Sequence, residues 1–143
     1  MKYLFFIILL AGYSFCTGKN PSLACKEFRN GHFIVTLKPE GTRYEVVRTE
    51  KYQTEYNPDT DTIVGCKVEW TGDCEYEVTR MNKRKRTITD SSAVQKIFEY
   101  RNVAPLKVRI IATHNNYYVF ESWKEGINFI YKDTMWRVEA ANK

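Results

Sequence analysis

The stretch 63–79, IVGCKVEWTGDCEYEVT, constrains this chain more than any other. Cys66, Val68 and Trp70 alternate with Lys67 and Glu69, and Cys74, Tyr76 and Val78 alternate with Glu75 and Glu77. Period-two alternation of this kind is the pattern of a half-buried β-strand, and Thr71-Gly72-Asp73 supplies a turn between the two runs. The stretch therefore reads as a β-hairpin, with one apolar face that carries both cysteines and one charged face.

The flanking sequence supplies more strands. Arg29-Asn30-Gly31 is a turn signal, followed by a strand over 32–37, and Pro39-Glu40-Gly41 turns the chain again. The run 42–49 places Tyr44 and Val46 on one face and Glu45 and Val47 on the other, while 50–56 sets Tyr52, Thr54 and Tyr56 against Lys51, Gln53 and Glu55. Asn57-Pro58-Asp59-Thr60-Asp61 is a dense turn signal leading into the hairpin.

Beyond Met81 the alternation stops, and Asn82-Lys83-Arg84-Lys85-Arg86 reads as a solvated basic loop rather than a binding site. Thr89-Asp90-Ser91-Ser92 offers helix caps, and Ala93, Val94, Ile97 and Phe98 fall at helical spacing. A short helix over 92–100 is expected, ended before Pro105, with a strand around 97–100 as the competing reading. Strands return over 106–113, 117–123, 127–132 and 135–139, separated by turns at His114-Asn115-Asn116, Lys124-Glu125-Gly126 and Asp133-Thr134.

This makes about nine strands, nearly all joined by short connections, so that neighbours in sequence should be neighbours in the sheet. The expected fold class is all-β with one short helix: an antiparallel up-and-down meander, curled into a lipocalin-like barrel or half-barrel that hides its edges.

The N-terminus is expected to be a signal peptide rather than part of that domain. Met1-Lys2 followed by the apolar run 3–12 gives a positive start and a hydrophobic segment too short for a stable membrane span. Ser22-Leu23-Ala24 carries small residues at both recognition positions, which places cleavage before Cys25 and divides the chain into a signal over 1–24 and a single domain over 25–143. An earlier cut near Cys16 or Gly18 competes with this, as does lipidation, either of Cys16, which directly follows the apolar run, or of Cys25, where Leu23-Ala24-Cys25 is the better local match but lies far beyond that run. The expected compartment is the periplasm, the exterior, or a lipid anchorage in the envelope. Loss of 1–24 removes Lys2 and Lys19 and no acid, leaving 20 basic residues of the original 22 against 17 acidic ones, a net charge of +3. A balance so modest does not call for a polyanionic partner.

An oxidising compartment favours paired thiols, and the mature chain would hold Cys25, Cys66 and Cys74. If the hairpin pairs Trp70 with Cys74, then Cys66 faces Val78, and at about 3.3 Å per residue Cys66 and Cys74 lie too far apart to bond. The expected bridge is Cys25–Cys74, closing a loop of about 50 residues for roughly 4 kcal/mol in the chain-entropy model. Cys66 is then a small buried apolar residue, with a reactive thiol as the alternative.

Cys25-Lys26-x-Phe28 with Gly31-x-Phe33, Val47-Arg48-Thr49 with Gln53-x-Glu55, and Val68-Glu69-Trp70-x-x-Asp73-Cys74-x-Tyr76 resemble a family of short exported bacterial proteins and lipoproteins. The resemblance covers about residues 25–80, while the C-terminal third departs from the pattern. Some members of that family bear a topoisomerase label. Nothing in this sequence resembles a topoisomerase domain, and an exported chain has no access to chromosomal DNA, so the resemblance implies export without a mechanism.

The motifs of common chemistries do not appear. His32 and His114 lack a second ligand at metal-site spacing. There is no nucleophile elbow, phosphate-binding loop or dinucleotide fingerprint. Glu69, Glu75 and Glu77 share a hairpin face with Lys67, which reads as a solvated charged surface rather than an acid–base pair. Arg43, Arg48, Lys107, Arg109 and the run 83–86 form the only candidate nucleic-acid stripe, and the export signal argues against it. The excess lies in aromatics: ten Tyr, eight Phe and three Trp. Tyr44, Tyr52, Tyr56, Trp70 and Tyr76 are the candidates to line a ligand site inside the barrel, and core packing is the competing reading.

The expectation for function is a non-enzymatic envelope or secreted binding or interaction module, its partner an envelope protein or a small apolar ligand. The first alternative is a carrier or sensor holding a small apolar ligand inside the barrel, and the second is an enzyme of unassigned class. No cofactor and no nucleic acid is expected, and membrane contact only through a lipid anchor.

Overall fold

The computed structural model describes residues 23–85 and 103–138. A 3-10 turn over Cys25–Phe28 is followed by strands β1 (Gly31–Leu37), β2 (Thr42–Arg48), β3 (Tyr52–Asn57), β4 (Thr62–Trp70), β5 (Glu75–Lys85), β6 (Leu106–Thr113), β7 (Tyr117–Trp123) and β8 (Tyr131–Arg137). They form a closed antiparallel barrel in sequence order, and β1 closes the ring by pairing with β8 through Phe33–Arg137, Ile34–Trp136 and Val35–Met135. The all-β up-and-down expectation is thus met by a full barrel. The proposed helix over 92–100 lies outside the described residues.

Alternation along the strands decides what the barrel contains. Phe33 and Val35 of β1, Val46 of β2, Val64, Cys66 and Val68 of β4, Tyr76 and Val78 of β5, Val108 and Ile110 of β6, Tyr118 and Phe120 of β7 and Met135 of β8 form one buried cluster. Intervening residues such as Val47, Lys67 and Trp136 face outward. Burying each such side chain stabilises the fold by roughly 1.5–3 kcal/mol before conformational entropy is subtracted.

The central hairpin forms with a different register. Trp70 pairs with Tyr76, Val68 with Val78 and Cys66 with Arg80, because residues 71–74 form a four-residue connection in which Thr71 and Gly72 N–H both donate to the Glu75 carbonyl, at 3.0 and 3.2 Å. The displacement is two residues, an even number, so every side chain keeps the face its alternation assigns. Residues 82–85 of the basic run are not a loop. Asn82–Lys85 continue β5 against β4 after a bulge at Gly65/Cys66, with Lys83 and Arg84 exposed. The Asn82 amide makes this possible by accepting from the Gly65 N–H at 3.1 Å, while a Cβ on Gly65 would meet the same Oδ1 at 2.6 Å.

The two C-terminal strands are a single strand. Asp133 and Thr134 do not break it, because β7 pairs with them through Phe120 and Val119, and the Asp133 carboxylate accepts from the Tyr131 hydroxyl and the Thr134 N–H. Residues 127–130 instead form an exposed connection from β7 to β8, with Ile127, Phe129 and Ile130 each more than half exposed.

The 3-10 turn plugs one end of the barrel. Phe28 is fully buried, edge-on to Tyr118 with centroids 5.1 Å apart and 6.4 Å from Phe33. The Cys25–Cys74 disulfide, with Cα atoms 5.2 Å apart, fastens the plug to the β4–β5 connection as expected from the cysteine spacing. Ala24 N–H donates to Thr113 Oγ1 at 3.0 Å, Arg29 Nη2 to the Gly72 carbonyl at 3.3 Å, and Arg137 Nη2 to the Glu27 carbonyl.

Candidate functional site

Above the plug the interior is not filled. A cavity of about 250 Å³ extends toward the opposite end, walled by Val35, Val46, Val78, Val108, Phe120 and Met135. Leu37, Lys38, Glu40, Tyr44, Leu106 and Tyr131 also line it. These come from strand ends and turns remote from the plug, so the cavity leads away from the closed end.

At its base sits Arg48, only 2% exposed. Its Nε donates to Gln53 Oε1 at 2.7 Å, and its Nη1 to the Tyr118 hydroxyl at 2.9 Å and the Phe28 carbonyl at 3.5 Å. The guanidinium lies 4.6 Å from the Tyr76 ring centroid and 5.4 Å from that of Phe33, a cation–π geometry in a buried setting. The Tyr76 and Tyr118 hydroxyls are 3.2 Å apart. Burial acts against the charge on Arg48, but the hydroxyls of Tyr118 and Tyr76 hold its pKa above the ordinary range, so the side chain stays cationic. Burial pushes the Tyr76 hydroxyl well up despite the opposing pull of Arg48, so it stays protonated.

A polar chain continues up one wall from Arg48. Gln53 Nε2 donates to Glu55 Oε1 at 2.7 Å, and Glu55 Oε2 lies 4.0 Å from Arg80 Nη2. Near the other end Tyr131 donates to Asp133 and accepts from the Lys38 N–H at 3.1 Å; partial burial, then the bond to Asp133, raise its pKa.

The structure divides the five candidate aromatics. Tyr44 and Tyr76 line the cavity. Tyr52 is 57% exposed on the outer surface. Tyr56, on the same face of β3, is half-buried with its hydroxyl 3.3 Å from Asp61. Trp70 packs on Tyr76 at 4.6 Å between centroids and lies under Arg29 at 4.5 Å, at the plugged end and not in the cavity wall. The inward residues of β3 are Gln53, Glu55 and Asn57, because β3 pairs Gln53 with both Arg48 and Cys66, which face inward. Arg48, Gln53 and Glu55, which form the hydrogen-bonded chain from the base of the cavity, were not among the aromatic candidates. Their signal in the sequence is the pairing of β2 with β3, which sets Arg48 opposite Gln53.

The other constellations come apart. Arg48 is interior, so no surface stripe contains it. Arg109 pairs with Glu75 at 2.7 Å, Lys107 with Glu125 at 3.1 Å and Lys67 with Glu69 at 3.0 Å. Among the described residues no three His, Cys, Asp or Glu side chains form a group able to hold a metal ion. Among them, too, no helix is long and apolar enough to cross a membrane. Comparison of the chain with protein-family models, with curated proteins and with solved structures gives no match.

Proposed function

We propose that this protein is a non-enzymatic carrier or sensor that holds a small, largely apolar molecule inside its barrel. The observation that carries the reading is the interior cavity of about 250 Å³, bounded by apolar side chains from six strands and stopped at one end by the disulfide-fastened plug. An apolar concavity with a few convergent polar groups is the usual form of a small-molecule site, and this volume falls just below the ~300–1,000 Å³ range of such pockets, which favours a small ligand.

Export belongs to the same proposal. Residues 1–24 would direct the chain out of the cytoplasm, and a Cys25–Cys74 bridge suits an oxidising compartment. With the Cys25 sulfur committed to the bridge, Cys16 is the acceptor that remains if the chain carries a lipid.

The test is titration with the neutral apolar fluorophore N-phenylnaphthylamine. The reading expects a saturable one-to-one rise in emission that is lost in Val78→Trp, a substitution that fills the cavity; retained melting temperature establishes that this variant folds. Emission that does not saturate, or that is equal in a folded Val78→Trp variant, removes the carrier reading and leaves the exterior surface as the site of interaction.

A further inference from the structure

The base of the cavity carries a positive charge that no acid neutralises directly. Among the described residues Arg48 forms no ion pair, and its Nη2 has no hydrogen-bond partner. A buried guanidinium with an idle donor is costly to leave dry, and a buried charge without a counter-charge more so. The nearest carboxylate along its hydrogen-bond chain, that of Glu55, is engaged by Gln53 and faces Arg80. The charged side chains lining the cavity are Lys38, Arg48 and Arg80 against Glu40 and Glu55, an excess of one positive charge.

We propose that the ligand is a monocarboxylate with a single apolar tail, and that Arg48 receives the carboxylate through Nη2 while the tail lies along Val46, Val78, Val108, Phe120 and Met135. The proposal rests on the carrier reading and adds to it the chemistry of the head group. A planar guanidinium matches a carboxylate in shape as well as charge, and the bond is charge-assisted. The same wall is too apolar for a polyanion, and one excess charge balances one carboxylate. The volume matches a medium-length chain rather than a long one.

The test compares decanoate with decanol, which share a tail and differ in the head, by displacement of N-phenylnaphthylamine from the wild-type protein at neutral pH. Decanoate is expected to bind at least about tenfold more tightly, as a charge-assisted bond in a dry site implies. Arg48→Met should abolish the preference while still admitting decanol, and Arg48→Lys should retain part of it. A readout independent of any variant is the nitrogen resonance of the Arg48 guanidinium, expected to shift on addition of decanoate and to stay in place with decanol. Equal affinities for the two probes, or an unmoved Arg48 resonance, overturn the carboxylate assignment while leaving the carrier reading intact. Failure of the fluorophore itself to bind overturns both.

Discussion

The Cys66 thiol is fully buried, and burial first, then the neighbouring Glu55 carboxylate, push its pKa up to about 12 against the opposing pull of Arg80. A thiolate is the reactive form of cysteine, so the folded protein should resist alkylation by iodoacetamide at neutral pH and react only on denaturation. Rapid labelling of the native protein would contradict this and restore the reactive-thiol reading. The same shift has a sign in stability. The thiol loses its proton near 9.0 when unfolded and near 12 when folded, so the fold is favoured fully below about pH 9 and progressively less above it. The loss approaches roughly 1.4 kcal/mol per pH unit for one group. Tyr76, raised well above 10.0, adds a loss of the same sign at higher pH. Urea midpoints should therefore be insensitive to these groups from neutrality to about pH 9 and fall beyond it, with Cys66→Ala removing the earlier part of the fall. At this scale the sequence was least legible. Alternation says which residues share a face, not which face is inside, and on β3 the aromatic face looked like the interior one. Only cross-strand pairing with Arg48 and Cys66 turns Gln53 and Glu55 inward.

Among the elements, β5 shows how a local signal is overridden. A run of basic residues belongs in solvent, and Lys83 and Arg84 are exposed. Being exposed does not make them a loop, because β4 offers a partner edge along its whole length. The Gly65–Asn82 contact joins the bulge to that extension. Asn82→Ala should cost about 1 kcal/mol through the lost bond to the Gly65 N–H, measured as a shift in denaturation midpoint. Gly65→Val should cost more than Asn82→Ala, since its side chain would collide with the amide, unless Asn82 is shortened at the same time. The plug is the second element with a measurable share. Cys74→Ser should lower stability by roughly 2–5 kcal/mol under non-reducing conditions, and an unchanged midpoint would show that Phe28 and its hydrogen bonds suffice to hold it. The bridge was legible from spacing although the hairpin register was not, because moving the register by two residues leaves Cys66 still farther along its strand from the turn.

For the whole molecule, the order of strands was readable because nearly every connection is short, and closure followed from the need to hide edges. What the sequence did not reveal is that packing stops above Arg48 and leaves a cavity, since volume inside a barrel depends on how side chains from all eight strands meet. The bridge between Cys25 and Cys74 has one more consequence at this scale. It makes the first half of the chain, from the plug to the β4–β5 connection, a covalent ring, and leaves β5, β6, β7 and β8 outside it. A protease that cuts once between residues 25 and 74, for example after Lys51, opens the ring without freeing a piece, so the nicked protein should run undivided on a denaturing gel until a reductant is added. A single cut in the exposed 127–130 connection falls beyond the ring, and there the last strand should separate on denaturation with the disulfide still intact.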